Sequence, residues 1–407
     1  MALAAAYHLK LMTRPYGLAP RQPTTDLIEG WASRAATLAK YNTGAPEMTL
    51  PTTMNAMVTM GHGNMDQMVW HPDWPCPTPA ASEVLVRVKA CGLNNTDVNT
   101  RVGWYSKAVT EATSGDGYAK VDDEDPTWGA APISFPRIQG ADVCGEIVAV
   151  GRGVDATRIG ERIITDCWLR DLQDPTDINK TGYFGSERDG GFAQYTTMPA
   201  VNAIAVNSPL SDAELATFSC SYSTAEGMLT RAGVTAADTV LVPGASGGVG
   251  TGLIQLAKRR GARVVALASE NKHDAVRALG ADLVLPRAPE NLRAALGGEK
   301  ITVLADVVGG PNWGTLLDVI ERGGRLTCSG AIAGPIVAFD LRTFYLRDLT
   351  FTGSTVIAPE VTAALVRYIE AGEIKPALAA TYPLRELHAA QSAFIEKAHT
   401  GNIVVVP

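Results

Sequence analysis

Between Val240 and Lys272 the chain reads VLVPGASGGVGTGLIQLAKRRGARVVALASENK, a pattern that leaves little freedom of fold. An apolar run enters a glycine-rich turn. A helix-length segment follows, with Val249, Leu253, Ile254, Leu256 and Ala257 as its inner stripe, and a second apolar run opens at Arg263. The spacing predicts strand, tight turn, helix, strand. Small residues are required in such a turn because a pyrophosphate must touch backbone N–H groups at the helix N-terminus. Gly247 and Gly250 take the second and third places of a GxGxxG fingerprint, and Ala245 the first, with Gly244 before it. Glycines alone say little, but here the strand, helix and next strand stand at the right distances. Gly244, Ala245, Ser246, Gly247, Gly248, Val249 and Gly250 are therefore read as a dinucleotide cradle.

The end of the second strand bears on which dinucleotide. An NAD site places Asp or Glu there for the ribose 2′-hydroxyl. This strand ends ALAS, with Ser269, Asn271 and Lys272 suited to a 2′-phosphate and Glu270 as the opposing feature. NADPH is expected over NADH. The same letters, GASGG, also fit G-x-S-x-G, which would make Ser246 a nucleophile and His388 or His399 its base. The glycine run continuing to Gly250 and the nucleotide-type strand that follows argue against that hydrolase.

From about Leu210 to 355, short apolar runs (TVLVP, RVVALA, DLVLP, ITVLADVVG, RLTCSG, LTFTGST) alternate with helix-length segments. This indicates a parallel sheet covered on both faces. Upstream the signals are β: in EVLVRVKACGL, Val84, Val86 and Val88 alternate with Leu85, Arg87 and Lys89, the mark of a half-buried strand. The tail holds two helical patterns and a last strand expected to return to the first domain. Residues 1–50 look like an appendage, a plain extension rather than a cleaved transit segment. Residues 105–134 form a polar, acidic insert expected to shape the mouth of a site.

Two domains suit 407 residues. A net charge of −7 argues against broad adhesion to nucleic acid or anionic membrane. The longest uncharged apolar window, Thr239–Ala257, holds Pro243 and several glycines, so it is a poor membrane helix. Six cysteines with no CxxC pair favour a reducing, cytosolic setting.

ACGLNNTDVNTR, PRIQGADVCGEIVAVG, GGFAQYTTMPA, GASGGVG and the closing GEIKPALAATYPLRELHAAQSAFIEKAHTGNIVVVP occur in this order. Together they resemble the medium-chain dehydrogenase/reductase superfamily. The resemblance implies an α/β protein: a GroES-like catalytic domain from 51–205 and 356–407 around a Rossmann domain at 206–355. Zinc-dependent alcohol dehydrogenases of that superfamily carry Cys-His-Thr-Asp where this chain has Asn94-Asn95-Thr96-Asp97. Their Gly-His-Glu step is matched by Gly140-Ala141-Asp142, and a third thiolate corresponds to Cys220. No histidine occurs between His71 and His273, and of the four-cysteine structural zinc lobe only Cys167 is present. Catalytic zinc needs three protein ligands, so neither metal is expected.

Without a Lewis acid, alcohol oxidation loses its route to an alkoxide near neutral pH. A quinone or an α,β-unsaturated carbonyl takes hydride readily, and its oxyanion needs only hydrogen-bond donors. The resemblance thus points to the zinc-free quinone oxidoreductase and enone reductase branch. Alternatives are an alcohol dehydrogenase and a non-catalytic NADPH-binding protein. Asn94 is expected at the nicotinamide or the acceptor oxygen, against a plain turn asparagine; Thr96 matches the hydroxyl relay position. Tyr105 is expected to donate a hydrogen bond or proton, against a packed aromatic. Asp97 is expected to anchor backbone, Cys220 to be a small buried residue, and His388 and His399 to be structural or solvated. Gly309, Ser329 and Gly330, in loops after two Rossmann strands, are expected beside the nicotinamide. Asn402 stands where relatives often carry a lysine, so a cationic contact is lost there. DLRTFYLRDLTFTGST resembles the segment that joins Rossmann sheets across a homodimer.

Overall fold

A computed structural model describes residues 50–117 and 133–407. Most of the N-terminal appendage and the middle of the 105–134 insert lie outside the described residues. The first lobe opens with β1 (Thr53–Thr59) and β2 (Met68–Pro75), an antiparallel pair. It continues with β3 (Glu83–Gly92), β4 (Asp142–Val150) and β5 (Arg162–Thr165). The short hairpin β6 (Trp168–Leu169) and β7 (Gly182–Tyr183), then β8 (Tyr195–Pro199) and β9 (Ala203–Ala205), complete this stretch.

The chain next enters a six-stranded parallel sheet: β10 (Thr239–Val242), β11 (Arg263–Ala268), β12 (Leu283–Pro286), β13 (Ile301–Asp306), β14 (Ile320–Cys328) and β15 (Thr350–Gly353). Their spatial order is β12-β11-β10-β13-β14-β15. Every apolar run singled out between 239 and 355 is a strand of this sheet, as expected for a Rossmann architecture. The chain then returns to the first sheet with β16 (Leu378–Pro383) and β17 (Asn402–Val406), giving β16-β17-β3-β4-β5-β9, with β8 also paired to β3.

One strand differs from its pattern. Alternation in β3 predicts a single buried face, yet Val84, Leu85 and Val86 are all at 0% exposure. Successive side chains point to opposite faces, so both faces are covered here. Arg87 and Lys89 keep access to solvent and pair with Glu146.

A single apolar cluster runs between the lobes. It joins Ala90, Cys144 and Val404 of the first sheet to Val240, Leu253 and Ile254 of the second lobe. The helices Ser219–Arg231 and Gly248–Arg259 lie within it. At the end of β3 the backbone turns at once into the helix Asn95–Val102. Asn94 is its N-cap, and the Asn94 N–H donates to the Asp97 carboxylate at 2.7 Å. Gly103, at φ 78°, ends the helix in the left-handed region. Among the described residues no helix is long and apolar enough to cross a membrane.

Candidate active site

A cavity of about 950 Å³ opens between the C-terminal edge of the six-stranded sheet and the first lobe. Its floor is the glycine turn after β10. A Cβ on Gly250 would lie 2.4 Å from the Gly244 carbonyl oxygen, which is why the third glycine place admits no side chain. A Cβ on Gly248 would lie 2.4 Å from Ser221 Oγ. Gly248, Val249 and Gly250 form the first turn of the helix Gly248–Arg259 and line the cavity. A helix cannot satisfy its first-turn N–H groups internally, so this end presents donors and a partial positive charge. The residues present therefore fit a dinucleotide pyrophosphate.

Gly244, Ser246 and Gly247 line the cavity as well. Ala245 does not: at 0% exposure it faces the core, its N–H donating to the Leu267 carbonyl at 3.2 Å. The turn needs a small residue there for packing rather than for contact with a ligand. Beyond β11, Ser269 and Lys272 line the cavity, whereas Asn271 is exposed and stands off it, as does Glu270. The Lys272 ammonium donates to the carbonyl oxygens of Lys397 at 2.5 Å and His399 at 2.7 Å.

Arg287 escaped the sequence reading. The final register pair of β11 and β12 is Ala268 with Pro286, so Ser269 and Arg287 leave the sheet edge side by side. Arg287 lines the cavity and makes no hydrogen bond or ion pair among the described residues. The signal was present in DLVLPR, a cation directly after the third strand of the series.

Gly309, Ser329 and Gly330 also line the cavity, in the loops after β13 and β14. The Asp306 carboxylate accepts the Val308 N–H at 2.8 Å and the Gly309 N–H, holding the first of these loops.

The remaining wall comes from the first lobe. Asn94 is 7% exposed and lines the cavity, so it is a helix cap and a wall residue at once. Its Nδ2 donates to Asp142 at 3.0 Å, and its Oδ1 accepts from the Ser221 hydroxyl at 3.3 Å. Ser221 Oγ in turn accepts from Asn402 Nδ2 at 3.0 Å. The Asp142 carboxylate also accepts the Cys220 N–H at 2.5 Å. Burial pushes the Asp142 carboxyl up to about 7, and burial aided by Asp142 does the same to Asp97. Thr96 and Tyr105 line the cavity, and Thr96 and Asn99 stand near the Tyr105 hydroxyl. Burial raises the Tyr105 pKa. Trp104, Trp168 and Tyr183 add aromatic surface at this end, Trp168 and Tyr183 meeting edge to face at 4.9 Å.

The histidines separate. His388 Nε2 engages the Met68 carbonyl at 2.9 Å, away from the cavity. His399 lines it. No hydrogen bond joins Ser246 to either. Burial, with Lys397 and Lys272 nearby, pushes His399 down to about 4, so Ser246 has no engaged base.

The positions that hold zinc in metal-dependent relatives do not form a donor set. The Asn94 amide is engaged by Asp142 and Ser221, Ala141 offers no donor atom, and burial raises the Cys220 thiol far above its ordinary pKa. Among the described residues no group of three His, Cys, Asp or Glu could hold a metal ion.

A dinucleotide cradle on a Rossmann sheet, open to a cleft beside a GroES-like lobe, defines an NAD(P)H-dependent oxidoreductase. Residues 80–208 match the family described as "Alcohol dehydrogenase GroES-like domain", and residues 248–371 the one described as "Zinc-binding dehydrogenase". A solved structure from Sinorhizobium meliloti 1021, provisionally named an alcohol dehydrogenase, is 44% identical with a TM-score of 0.80. The match covers 88% of this chain and 98% of that one. Acryloyl-coenzyme A reductase of Metallosphaera sedula is 26% identical, over 86% of this chain and 99% of its own. NADPH-dependent alkenal/one oxidoreductase of Arabidopsis thaliana is also 26% identical, over 92% and 85% respectively. The chain belongs to the medium-chain dehydrogenase/reductase superfamily.

Proposed function

We propose that this protein uses NADPH to reduce a quinone or an α,β-unsaturated carbonyl, without a catalytic zinc. One observation carries the reading: the Asn94 amide is held between Asp142 and Ser221, where metal-dependent relatives place a cysteine ligand. A neutral amide with both ends engaged leaves hydroxyl groups, not a cation, to meet an acceptor oxygen.

The bound dinucleotide supplies hydride. As a conjugated acceptor takes hydride at carbon, an electron pair moves onto its oxygen, and one proton completes the reduction. Thr96 and Tyr105 are the hydroxyl donors for that oxygen, in a site that partly excludes water. With its pKa raised by burial, Tyr105 keeps its proton at neutral pH and can supply it, being recharged from solvent. Asn94 forms the wall between these hydroxyls and the glycine turn. The aromatic surface of Trp104, Trp168 and Tyr183 suits a flat conjugated acceptor.

The preference for NADPH rests on Ser269 and Arg287, with Lys272 behind them and no carboxylate at the strand end facing the cavity. Six free cysteines favour a reducing, cytoplasmic setting. Exposed Leu341, Tyr345 and Leu346 beside the edge strand β15 favour a homodimer.

Protein of measured metal content, assayed for NADPH oxidation against a panel of quinones, enones and alcohols with and without chelator, tests the reading. Turnover of quinones or enones that ignores metal content is the expected result. Activity that tracks bound zinc, or NAD-linked alcohol oxidation as the main reaction, overturns it.

A further inference from the structure

Three basic side chains, Lys272, Arg287 and Lys397, line the cavity beside the neutral imidazole of His399, and no aspartate or glutamate among the described residues does so. A pocket of one sign fits a polyanion. Lys272 and Arg287 project from the Rossmann lobe. Lys397 and His399 come from the other side, on the turn between the helix Leu387–Glu396 and β17. That turn is fastened to the phosphate loop. The Gly401 N–H donates to the Ser246 carbonyl at 2.8 Å, and Gly401 and Gly247 form an isolated bridge. Lys397 thus lies only a few residues from the point where the turn meets the helix N-terminus.

Lys397 caps its helix at φ 53°, in the left-handed region where glycine is the usual residue. Helix termination explains the backbone but not the lysine; a side chain kept at such a position has a use of its own. Its ammonium sits 3.5 Å from the centre of the Phe394 ring and donates to Asn95 Oδ1 at 2.9 Å. Neither partner carries charge. Its own carbonyl is gripped by Lys272, which brings a second cation closer instead of a counter-ion. Asn402, the residue of this turn nearest Gly248, contributes only a neutral amide. The phosphate loop therefore has dipolar donors from one lobe and, from the other, an amine without a counter-ion, whose pKa burial and Lys272 lower to about 7 and which a bound phosphate would hold in its charged form.

We propose that Lys397 is the cation that meets the cofactor's pyrophosphate, delivered by the GroES-like lobe across the cleft to the Rossmann phosphate loop. The pyrophosphate then lies between backbone donors of one lobe and an ammonium of the other, so cofactor binding ties the lobes together. This assignment does not depend on the preference for NADPH, because the pyrophosphate is common to both nicotinamide dinucleotides. The 2′-phosphate, present only in NADPH, is left to Ser269 and Arg287.

The test is fluorescence titration of NADPH and NADH against Lys397→Met, Lys397→Arg and Lys397→Asn. Asparagine tolerates the left-handed backbone, so that variant keeps the turn while removing the charge. Loss of one charge-assisted contact is expected to weaken both dinucleotides by a similar factor, about 10-fold, in the Met and Asn variants. The Arg variant retains most of the affinity. Loss confined to NADPH would assign Lys397 to the 2′-phosphate and overturn the proposal. Unchanged binding of both dinucleotides overturns it too, whether the acceptor KM rises or nothing changes. An Arg287→Glu variant that discriminates no less against NADH than the wild type refutes the NADPH reading alone and leaves Lys397 untouched.

Discussion

Replacing Gly248 with alanine probes how the cofactor loop and the acceptor wall depend on each other. The added Cβ would lie 2.4 Å from Ser221 Oγ and 2.7 Å from Asn402 Oδ1. Real Cβ atoms do not approach that closely, so the Ser221 hydroxyl must leave. Ser221 and Asn402 are each 2% exposed, and neither can swing into solvent. Two hydrogen bonds are then lost, from Ser221 to Asn94 and from Asn402 to Ser221. At about 1 kcal/mol each, they amount to about 2 kcal/mol, or about 30-fold in kcat/KM if the Asn94 geometry is needed in the transition state. Ser221→Ala removes the same two bonds without the clash, and its loss should be of similar size. In the double variant the hydroxyl that collides is gone, so the glycine substitution should cost less on top of Ser221→Ala than it does alone, the remainder coming from the 2.7 Å approach to Asn402 Oδ1. Steady-state kcat/KM for all three variants, with the NADPH Kd beside it, reads this out. Independent effects would instead multiply to about 1000-fold, and a double variant that impaired would refute the coupling.

Arg287→Glu should raise the Kd for NADPH by about 10-fold or more while leaving that for NADH within about 2-fold, measured by fluorescence titration. Burial raises the Asp142 and Asp97 carboxyls from 3.8 to about 7, so the folded state favours their protonated forms. Their contribution to stability is full below about pH 4 and is lost as pH climbs through 7. Melting temperatures taken from pH 5 to pH 8 should therefore fall less steeply for Asp142→Asn than for the wild type, and parallel curves would refute the assignment. Tyr345→Glu with Leu346→Glu places charge on side chains 60% and 59% exposed beside β15, and light scattering should show a dimer for the wild type and a monomer for the variant.

Local chemistry was legible; contacts between distant segments were not. The glycine turn is a local constraint, since Gly250 is demanded by the Gly244 carbonyl only six positions back along the chain. The strands of the parallel sheet are likewise local, each a short apolar run closed by glycine, proline, serine or a charge. Leu85 shows where periodicity fails: it sits at an outward position of an alternating strand, and the burial of that face depends on parts of the chain that a window around it does not contain. Arg287 was missed because its place beside Ser269 is a matter of register between β11 and β12, not of spacing along the chain. The lysine missing at Asn402 was readable, but the cation that faces the loop was not, since it requires a helix to end in the left-handed region at Lys397. Asn94 combines both cases. Residue identity alone says that a thiolate is not there, whereas the amide's orientation depends on Asp142 in β4 and Ser221 in the helix Ser219–Arg231. A pattern within one segment can therefore announce which chemistry this site lacks, and only the packing of three segments reveals what holds its replacement in place.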